Sequence, residues 1–428
     1  MATFLATFYM EKLKAIVRQV GPGLLFASMA IGTSHLVLST KAGAAYGFIM
    51  IVPILLANLL KYPFFEFGVR YTNATKSTLI EGYHKLGKGY LWFYAFITLI
   101  SVFTILAALY IVTAGLLSNL LELNHIATST IALYLFLFVS VLLVIGKYRL
   151  LEISLKWLVS LLFMALLLTT ILVLKKGPVV EMEHVFGSFV FDGPSVLFLI
   201  SLMGWMPTAV EASGWVSMWS IEKMNTSKEA FTLKTSLQEF NIGYAITSVL
   251  AVFFLIIGCY TLYGTSTELS SNSAIFAHQL VNLFTTHLGN WAYLLIAIAA
   301  FATMFSTCMT AHDAVSRVSL DVLKKLFPKS KIPVNPNSFG YLVFLLALIN
   351  WIVINAFGAN MGSLVALATF VSFVFAPIIG WMNLKAVTTK ELNSEQRPKL
   401  WLRILAYVGI IFLSAFAIYY CWLVWFMA

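Results

Sequence analysis

The stretch Gly32-Thr33-Ser34-His35 interrupts an apolar run that extends from residue 21 to 47. A second interruption, Gly204-Trp205-Met206-Pro207-Thr208, lies in an apolar run from 191 to 220. Each run is long enough to cross a bilayer, which takes about 20 residues of helix. Unwound backbone at membrane depth is tolerated where it is buried in protein or lines a cavity. Two interrupted helices at matching positions of two halves therefore predict a substrate site between them.

The composition is that of a membrane protein. Of the 428 residues, 61% are hydrophobic and 10% are charged, whereas a soluble domain carries about 25% charged residues. We predict an all-α polytopic protein with one transmembrane transporter domain over residues 1–428. The apolar residues form eleven runs of spanning length, near 21–47, 49–70, 91–119, 127–146, 151–175, 191–220, 239–263, 288–322, 339–357, 361–386 and 401–427.

Positive charge is distributed unequally between the two sets of loops. The loops on one side of an eleven-span protein hold 23 of the 27 Lys and Arg, and the other side holds only Lys175 and Lys176. Because Lys and Arg accumulate in cytoplasmic loops, we predict a cytoplasmic N-terminus and an extracytoplasmic C-terminus in a bacterial inner membrane. Basic residues in short loops indicate topology rather than a nucleic-acid surface. The expected partners are the lipid bilayer and a small inorganic ion, with no nucleic acid.

The reactive residue types form no catalytic motif. Cys259, Cys308 and Cys421 all lie in apolar runs and no CxxC pair exists, so we expect neither a disulfide framework nor a zinc site. The phosphate-binding motif GxxxxGK[ST] is absent. We therefore predict a protein that is not an enzyme, holds no cofactor and takes its energy from an ion gradient, with sodium or a proton as the co-transported ion.

Several short motifs resemble those of the Nramp family of divalent-metal transporters. The first span begins with Gly21-Pro22-Gly23 and continues after its break with Ala42-Gly43-Ala44-Ala45-Tyr46-Gly47. The stretch Gly146-Lys147-Tyr148-Arg149-Leu150-Leu151-Glu152 precedes the fifth span, and Met206-Pro207 lies in the sixth. The resemblance implies a LeuT-like fold that works by alternating access. Its two inverted repeats of five spans would cover about 21–175 and 191–386, followed by an eleventh helix at about 401–427.

The chain departs from the family pattern at the residues that bind metal. In the family, the first break reads Asp-Pro-Gly-Asn, so that Gly32 stands in place of the metal-binding aspartate and His35 in place of the asparagine. The Met-Pro-His of the sixth span becomes Met206-Pro207-Thr208, and the acidic residues of the proton route in the third span become Ile105 and Ala108. The resemblance thus implies a divergent branch that lacks the usual Asp and Asn ligands.

The residues at the two breaks favour a small anion. Helix N-termini near Ser34 and Thr208 would present N–H groups and partial positive charge, and the loss of a carboxylate at Gly32 removes negative charge. Three states of Glu211 are open: it accepts a hydrogen bond from His35, it is protonated, or it binds a co-transported cation. The leading hypothesis is therefore transport of a small anion such as bicarbonate, together with sodium. The predicted substrate-binding residues are Gly32, Thr33, Ser34, His35, Met206, Pro207, Thr208 and Glu211.

Two other functions remain open. The alternative substrate is a divalent metal cation of the Mn or Fe type, bound by His35, Met206 and Glu211 and either coupled to protons or uncoupled. A more distant alternative is a membrane sensor that transports nothing. For sodium, the hydroxyl groups of the eighth span and carbonyls of the first could form a cage, by analogy with LeuT-like folds. The candidate sodium ligands are Met29, Gly32, Ser306, Thr307 and Thr310.

Overall fold

The chain is almost entirely helical. A computed structural model describes residues 22–123, 125–181, 184–226, 232–265, 268–328 and 336–427, and these ranges contain no strand. The longer helices are α1 (Pro22–Ala30), α2 (Thr40–Tyr46), α3 (Ile51–Thr75), α4 (Leu79–Leu86), α5 (Lys88–Leu120), α6 (Thr128–Lys176), α7 (Gly193–Trp205), α8 (Ala212–Thr226), α9 (Leu233–Leu262), α10 (Ser273–Leu288), α11 (Tyr293–Leu326), α12 (Pro336–Ala356), α13 (Met361–Val387) and α14 (Leu400–Met427).

The described helices account for eleven membrane crossings. Eight helical segments are long and apolar enough to span a bilayer by themselves. These eight include the first half of α6, and the three remaining crossings come from the helix pair α1 and α2, from the pair α7 and α8, and from the second half of α6. The number of crossings agrees with the sequence prediction.

Helix α6 folds back on itself. It has 49 residues, and a straight helix of that length would extend about 74 Å at 1.5 Å per residue. Nevertheless, the chain lies beside the 16-residue helix α10 both shortly before α6 and at its end. Asn119, in the last turn of α5 and nine residues before α6 begins, lies 3.3 Å from the Nδ1 atom of His278, and Lys176 at the end of α6 donates a hydrogen bond to the carbonyl of Thr286 at 2.8 Å. The segment therefore crosses the membrane twice, as predicted for 127–146 and 151–175, but the loop expected between these spans is helical.

The first predicted break is present at residues 31–33. Helix α1 ends at Ala30, and the chain continues as a π-helical turn, Ser34–Ser39, that leads directly into α2. The amide of Ile31 still bonds to the carbonyl of Ala27, whereas the amide of Gly32 bonds to Ala30 only two residues back. Regular α-helical bonding is therefore lost at Gly32.

The second predicted break separates α7 from α8. Helix α7 ends at Trp205, and α8 begins at Ala212. Pro207 has no N–H group, so the carbonyl of Met203 cannot receive the bond from four residues ahead that would continue the helix. Six residues, 206–211, thus cross the centre of the protein without regular helical bonds.

Close backbone contact holds the outer half of the first span. A Cβ atom added to Gly43 would overlap the carbonyl oxygen of Leu255, and one added to Gly258 would overlap that of Thr40. Glycine at both positions therefore lets α2 and α9 touch directly, as small residues do at helix interfaces in membranes.

Ion pairs connect α4 to α11 and to the segment that follows α13. Lys325 lies 2.8 Å from Glu81, and Lys85 lies 2.8 Å from Glu391. The hydrogen bond from Lys325 holds the pKa of the Glu81 carboxyl below its ordinary value. Such partly exposed pairs contribute about 0.2–1 kcal/mol each. They fix the position of α4 relative to α11 and the segment after α13.

Candidate ion-binding site

A small cavity lies where the two broken helices meet. Its volume is about 20 Å³. The residues that surround it come from both breaks and from α5, α8 and α11. A cavity holds a water molecule when it offers about 10–15 Å³, so this cavity accommodates one water-sized species, such as a single atomic ion. Bicarbonate, with four heavy atoms, is too large for it.

The cavity wall offers oxygen atoms but no ionisable side chain. The hydroxyl-bearing residues of the wall are Thr33, Ser34, Thr208 and Thr307, Met29 brings a thioether, and the apolar residues include Ile105, Leu109, Trp205 and Trp215. Backbone and hydroxyl oxygens are ligands for hard cations such as Mg²⁺, Ca²⁺ and Mn²⁺. The chemistry of the wall is therefore suited to a cation with a preference for oxygen.

Half of the predicted substrate-binding residues line this cavity. Gly32, Thr33, Ser34 and Thr208 do so. The other four predicted residues, His35, Met206, Pro207 and Glu211, are not part of its wall. The carbonyl of Pro207 does contact the site indirectly, because it lies 3.2 Å from the hydroxyl of Ser34.

His35 faces α9 and not the cavity. Its Nε2 atom lies 2.9 Å from the carbonyl oxygen of Thr247, and its Nδ1 atom lies 2.7 Å from the hydroxyl of Ser34. A carbonyl oxygen only accepts hydrogen bonds, so Nε2 carries a proton and donates it to Thr247. That nitrogen cannot hold a metal ion in this arrangement. Of the alternatives for Glu211, a hydrogen bond from His35 is not present, since the two side chains have other partners.

Glu211 is the last residue of the second break, and its carboxylate bonds to α5 and α13. Its Oε1 atom accepts hydrogen bonds from Ser101 of α5 at 2.9 Å and from Ser372 of α13 at 3.2 Å. Its Oε2 atom is buried and has no hydrogen-bond partner among the described residues. Tyr94 donates to the backbone carbonyl of Glu211 at 3.2 Å. The carboxylate thus connects the start of α8 to two other spans.

The metal-binding set predicted as the alternative is not assembled. His35 and Glu211 bind to different helices, and Met206 is fully buried outside the cavity wall. In the described ranges, no group of three or more His, Cys, Asp or Glu is arranged to hold a metal ion. A cation in the cavity would be held by the oxygen atoms of the wall instead.

The candidate sodium ligands differ in whether they contact the first span. The hydroxyl of Thr307 lies between helices, 2.9 Å from the carbonyl of Ser28 and 3.3 Å from that of Ile31, and Ser306 lies 3.2 Å from the hydroxyl of Ser28. Met29 and Gly32 line the ion cavity. Thr310, however, bonds only to carbonyls of its own helix, at 2.9 and 3.0 Å. Of the three hydroxyls predicted in the eighth span, Ser306 and Thr307 are therefore in contact with the first span.

Lys61 is a functional candidate that pattern analysis of the breaks did not identify. It lies in the middle of α3, is fully buried, and donates hydrogen bonds to the carbonyls of Met203 at 2.5 Å and Gly204 at 2.7 Å. Trp205 follows directly, and its indole N–H donates to Ser372 at 3.0 Å. The sequence signal was the lysine itself, because an ionisable residue inside a span is functional by default.

Comparison with known proteins gives the family. The sequence profile described as "Natural resistance-associated macrophage protein-like" (Nramp) matches residues 23–423. The chain belongs to the Nramp family. It is also 33% identical over 407 residues to an uncharacterized protein of Pasteurella multocida (strain Pm70), which covers 93% of this chain and 90% of that protein. Members of the family are transporters, so this Nramp protein is a multi-pass membrane transporter.

Solved structures with the same fold support the architecture. A manganese transporter of Eremococcus coleocola is 14% identical with a TM-score of 0.70, over 95% of this chain and 86% of that one. A nucleobase-cation-symport-1 family transporter is 13% identical with a TM-score of 0.60, over 94% of this chain and 91% of that one. At such low identity these likenesses concern the fold alone. The Nramp protein has the predicted LeuT-like fold of two five-span inverted repeats and an eleventh helix.

Proposed function

We propose that this Nramp protein is a secondary transporter that moves a divalent metal cation across the membrane by alternating access. The observation that carries the proposal is the cavity of about 20 Å³ at the meeting point of two broken helices, walled by oxygen-bearing residues from both. Its position fits a substrate reached from each side in turn. Its size fits one ion without its hydration shell.

The same observations weigh against the bicarbonate hypothesis. An anion would need positive groups or several donors around it, and none of the residues of the cavity wall is basic. Three basic residues of the spans have other partners: His35 bonds to α9, Lys61 bonds to the carbonyls of Met203 and Gly204, and Lys41 lies 5.9 Å from the ring centre of Phe276. The family and the manganese transporter of similar fold also favour a metal cation.

We infer that the cation is a hard one, with Mn²⁺ as the first to test. Four residues of the wall carry hydroxyl groups, Thr33, Ser34, Thr208 and Thr307, against one sulfur-bearing residue, Met29, and no histidine. Softer ions such as Cu⁺ prefer thiolate, thioether or imidazole ligands. We also propose that the end of the bundle that contains the Lys85–Glu391 pair faces the cytoplasm, because most basic loops lie there.

Uptake into proteoliposomes tests the substrate. We expect saturable uptake of Mn²⁺ and no uptake of labelled bicarbonate, with sodium and pH gradients imposed separately. Thr208→Val should raise the half-saturating Mn²⁺ concentration about tenfold. We expect the loss of one ligand contact to cost about 1.4 kcal/mol of binding free energy, which corresponds to a tenfold change in affinity. Thr261→Val is the matched control, since that hydroxyl bonds to Ile257 of its own helix and lies outside the cavity wall.

Opposite results would reject the proposal. Sodium-driven bicarbonate uptake without any Mn²⁺ flux would restore the anion hypothesis. Sealed vesicles that show no flux of either ion would support the sensor hypothesis instead. Dependence of Mn²⁺ uptake on sodium that is weakened by Thr307→Val but not by Thr310→Val would indicate a sodium site between α1 and α11.

A further inference from the structure

A second and larger cavity lies beside α2, on the side of the breaks opposite to α1. Its volume is about 370 Å³, whereas the ion cavity has about 20 Å³. Pockets that bind small organic molecules measure about 300–1,000 Å³. Its wall is formed by α2 and the π-helical turn before it, by α7, by α13 and by Tyr420 of α14. We call this space the outer cavity, because a cytoplasmic N-terminus would place it on the extracytoplasmic side.

The wall of the outer cavity carries one charged group, the ammonium of Lys41 in α2. Within the described ranges, no ion pair of 4 Å or less involves Lys41, and its ammonium makes no hydrogen bond. It lies 5.9 Å from the ring centre of Phe276, at the limit of about 6 Å for an attraction between a cation and a ring. This half-buried ammonium has therefore lost hydration without gaining a strong partner.

The other polar groups of the wall can also donate hydrogen bonds. Ser201 of α7 and Tyr420 of α14 each carry a hydroxyl group, and neither hydroxyl bonds to another described residue. None of the residues of this wall is acidic, and none carries a side-chain amide. Most of the others are apolar, among them Leu38, Phe198 and Val365. The wall therefore matches a ligand with one anionic group and an apolar chain.

The charge of the outer cavity lies at one end of it. Lys41 is close to Phe276 of α10. A Cβ atom added to Gly362, at the start of α13, would lie 2.9 Å from the hydroxyl of Ser271, just before α10. Lys41 and the start of α13 are therefore both next to the first turns of α10. From there α13 continues along the cavity to Phe370, eight residues or about 12 Å further.

We propose that the outer cavity binds a fatty acid, whose carboxylate pairs with Lys41 and whose acyl chain lies along α13 toward Phe370. Carboxylate and ammonium form charge-assisted hydrogen bonds, which are the strong ones in proteins. The chain covers the apolar part of the wall, and this burial is favourable in itself. The binding does not depend on the proposed function, whereas its consequence for transport does.

The bound fatty acid would inhibit transport. It contacts α2 and α7, which belong to the two broken spans, and it also contacts α13 and α14. Alternating access moves one group of helices against another around the substrate site. A ligand that binds all four helices in one arrangement stabilises that arrangement. The transporter then leaves this state less often, and the rate of cation uptake falls.

Binding of radiolabelled decanoate to the full-length protein in phosphatidylcholine nanodiscs tests the site. Decanoate that dissolves in lipid is measured with empty nanodiscs and subtracted. We expect saturable binding. Lys41→Met should raise the half-saturating concentration at least about tenfold, because it removes a charge-assisted bond. Lys41→Arg keeps the charge and should bind decanoate with similar affinity. Lys175→Met, the same change at an exposed lysine outside this wall, should have no effect.

Two further arms test the shape of the cavity and the need for an anion. Ala366→Trp should abolish saturable binding, since its indole would fill part of the cavity that Ala366 lines, and thermal unfolding shows that this variant is folded. Decanol has the same chain without the charge and should bind at least about tenfold more weakly than decanoate. Equal binding of decanoate by Lys41→Met and the unmodified protein, or equal affinity for decanol, would overturn the proposal. Displacement of decanoate by added phosphatidylglycerol would assign the cavity to a phospholipid and would also overturn it.

Uptake of Mn²⁺ into proteoliposomes tests the consequence for transport. External decanoate should inhibit the unmodified protein and Lys175→Met at the same concentration, after subtraction of the leak into empty vesicles. Lys41→Met should need at least about ten times more decanoate for the same fractional inhibition. Saturable binding without inhibition would retain the site and overturn its effect on transport. Absence of Mn²⁺ uptake without decanoate would reject the proposed function, while binding in nanodiscs would still decide whether the site exists.

Discussion

Gly32→Ala is expected to abolish cation transport. A Cβ atom at Gly32 would lie 2.7 Å from Cγ2 and 3.1 Å from Oγ1 of Thr307. Gly32 also lines the cavity, which has a volume of only about 20 Å³. Extra atoms in a packed interior cost about 1–3 kcal/mol, and here they press on Thr307, which also lines the cavity. We expect Mn²⁺ uptake at the background level of empty vesicles, while the solubilised protein still unfolds cooperatively on heating.

Matched variants distinguish obstruction from general damage. Gly193→Ala adds the same methyl group where no atom lies within 4 Å, so it should leave uptake unchanged. Thr307→Ala removes the atoms that obstruct position 32, and the pair Gly32→Ala/Thr307→Ala should recover part of the uptake that Gly32→Ala loses. Uptake by Gly32→Ala equal to that of the unmodified protein would show that this cavity is not on the path of the ion.

The contact between position 32 and Thr307 also opposes the substitution Gly32→Asp, which would introduce the aspartate of the family. Any side chain at position 32 begins with the Cβ atom that meets Thr307. The absence of a carboxylate at Gly32 is therefore matched by the packing of α11 against the break. The sequence comparison suggested a missing ligand, whereas the structure indicates that the space for this ligand is also occupied.

The breaks and the spans were predictable from sequence because they depend on local chemistry. Pro207 removes one helical hydrogen bond wherever it is placed, and apolar runs of spanning length form helices in a bilayer. These two properties do not depend on which helices are neighbours. The prediction of a loop near 147–150 was wrong, because charged residues can continue a helix as well as end it.

The directions of the site residues depend on tertiary packing and were predicted less well. His35 lies in a π-helical turn, Ser34–Ser39, which rotates side chains relative to an α-helix of the same sequence. Glu211 lies in the irregular segment before α8, where spacing along the chain says nothing about direction. Lys61 bonds to carbonyls that are 142 and 143 residues away, and only the fold brings them together.

Glu211→Gln is expected to lower Mn²⁺ affinity at least about tenfold and to destabilise the protein. The substitution removes the charge that acts on Lys61, although an amide oxygen can still accept from Ser101 and Ser372. It also places an NH₂ group where the buried Oε2 atom has no partner among the described residues. A buried polar group left without a hydrogen-bond partner costs about 1–3 kcal/mol. Calorimetry and the midpoint of thermal unfolding measure the two effects.

A double substitution tests whether the charge of Glu211 stabilises the charge of Lys61. Lys61→Met/Glu211→Gln removes both buried charges, so its unfolding temperature should lie above that of Glu211→Gln alone, because no ammonium is left without a counter-charge. Glu391→Gln, at an exposed pair with Lys85, should change neither affinity nor unfolding, since surface pairs contribute about 0–1 kcal/mol. If the double substitution is instead less stable than Glu211→Gln, the bonds of Lys61 to the end of α7 outweigh the charge interaction. In that case the carboxylate acts mainly by joining α8 to α5 and α13 through its two serine partners.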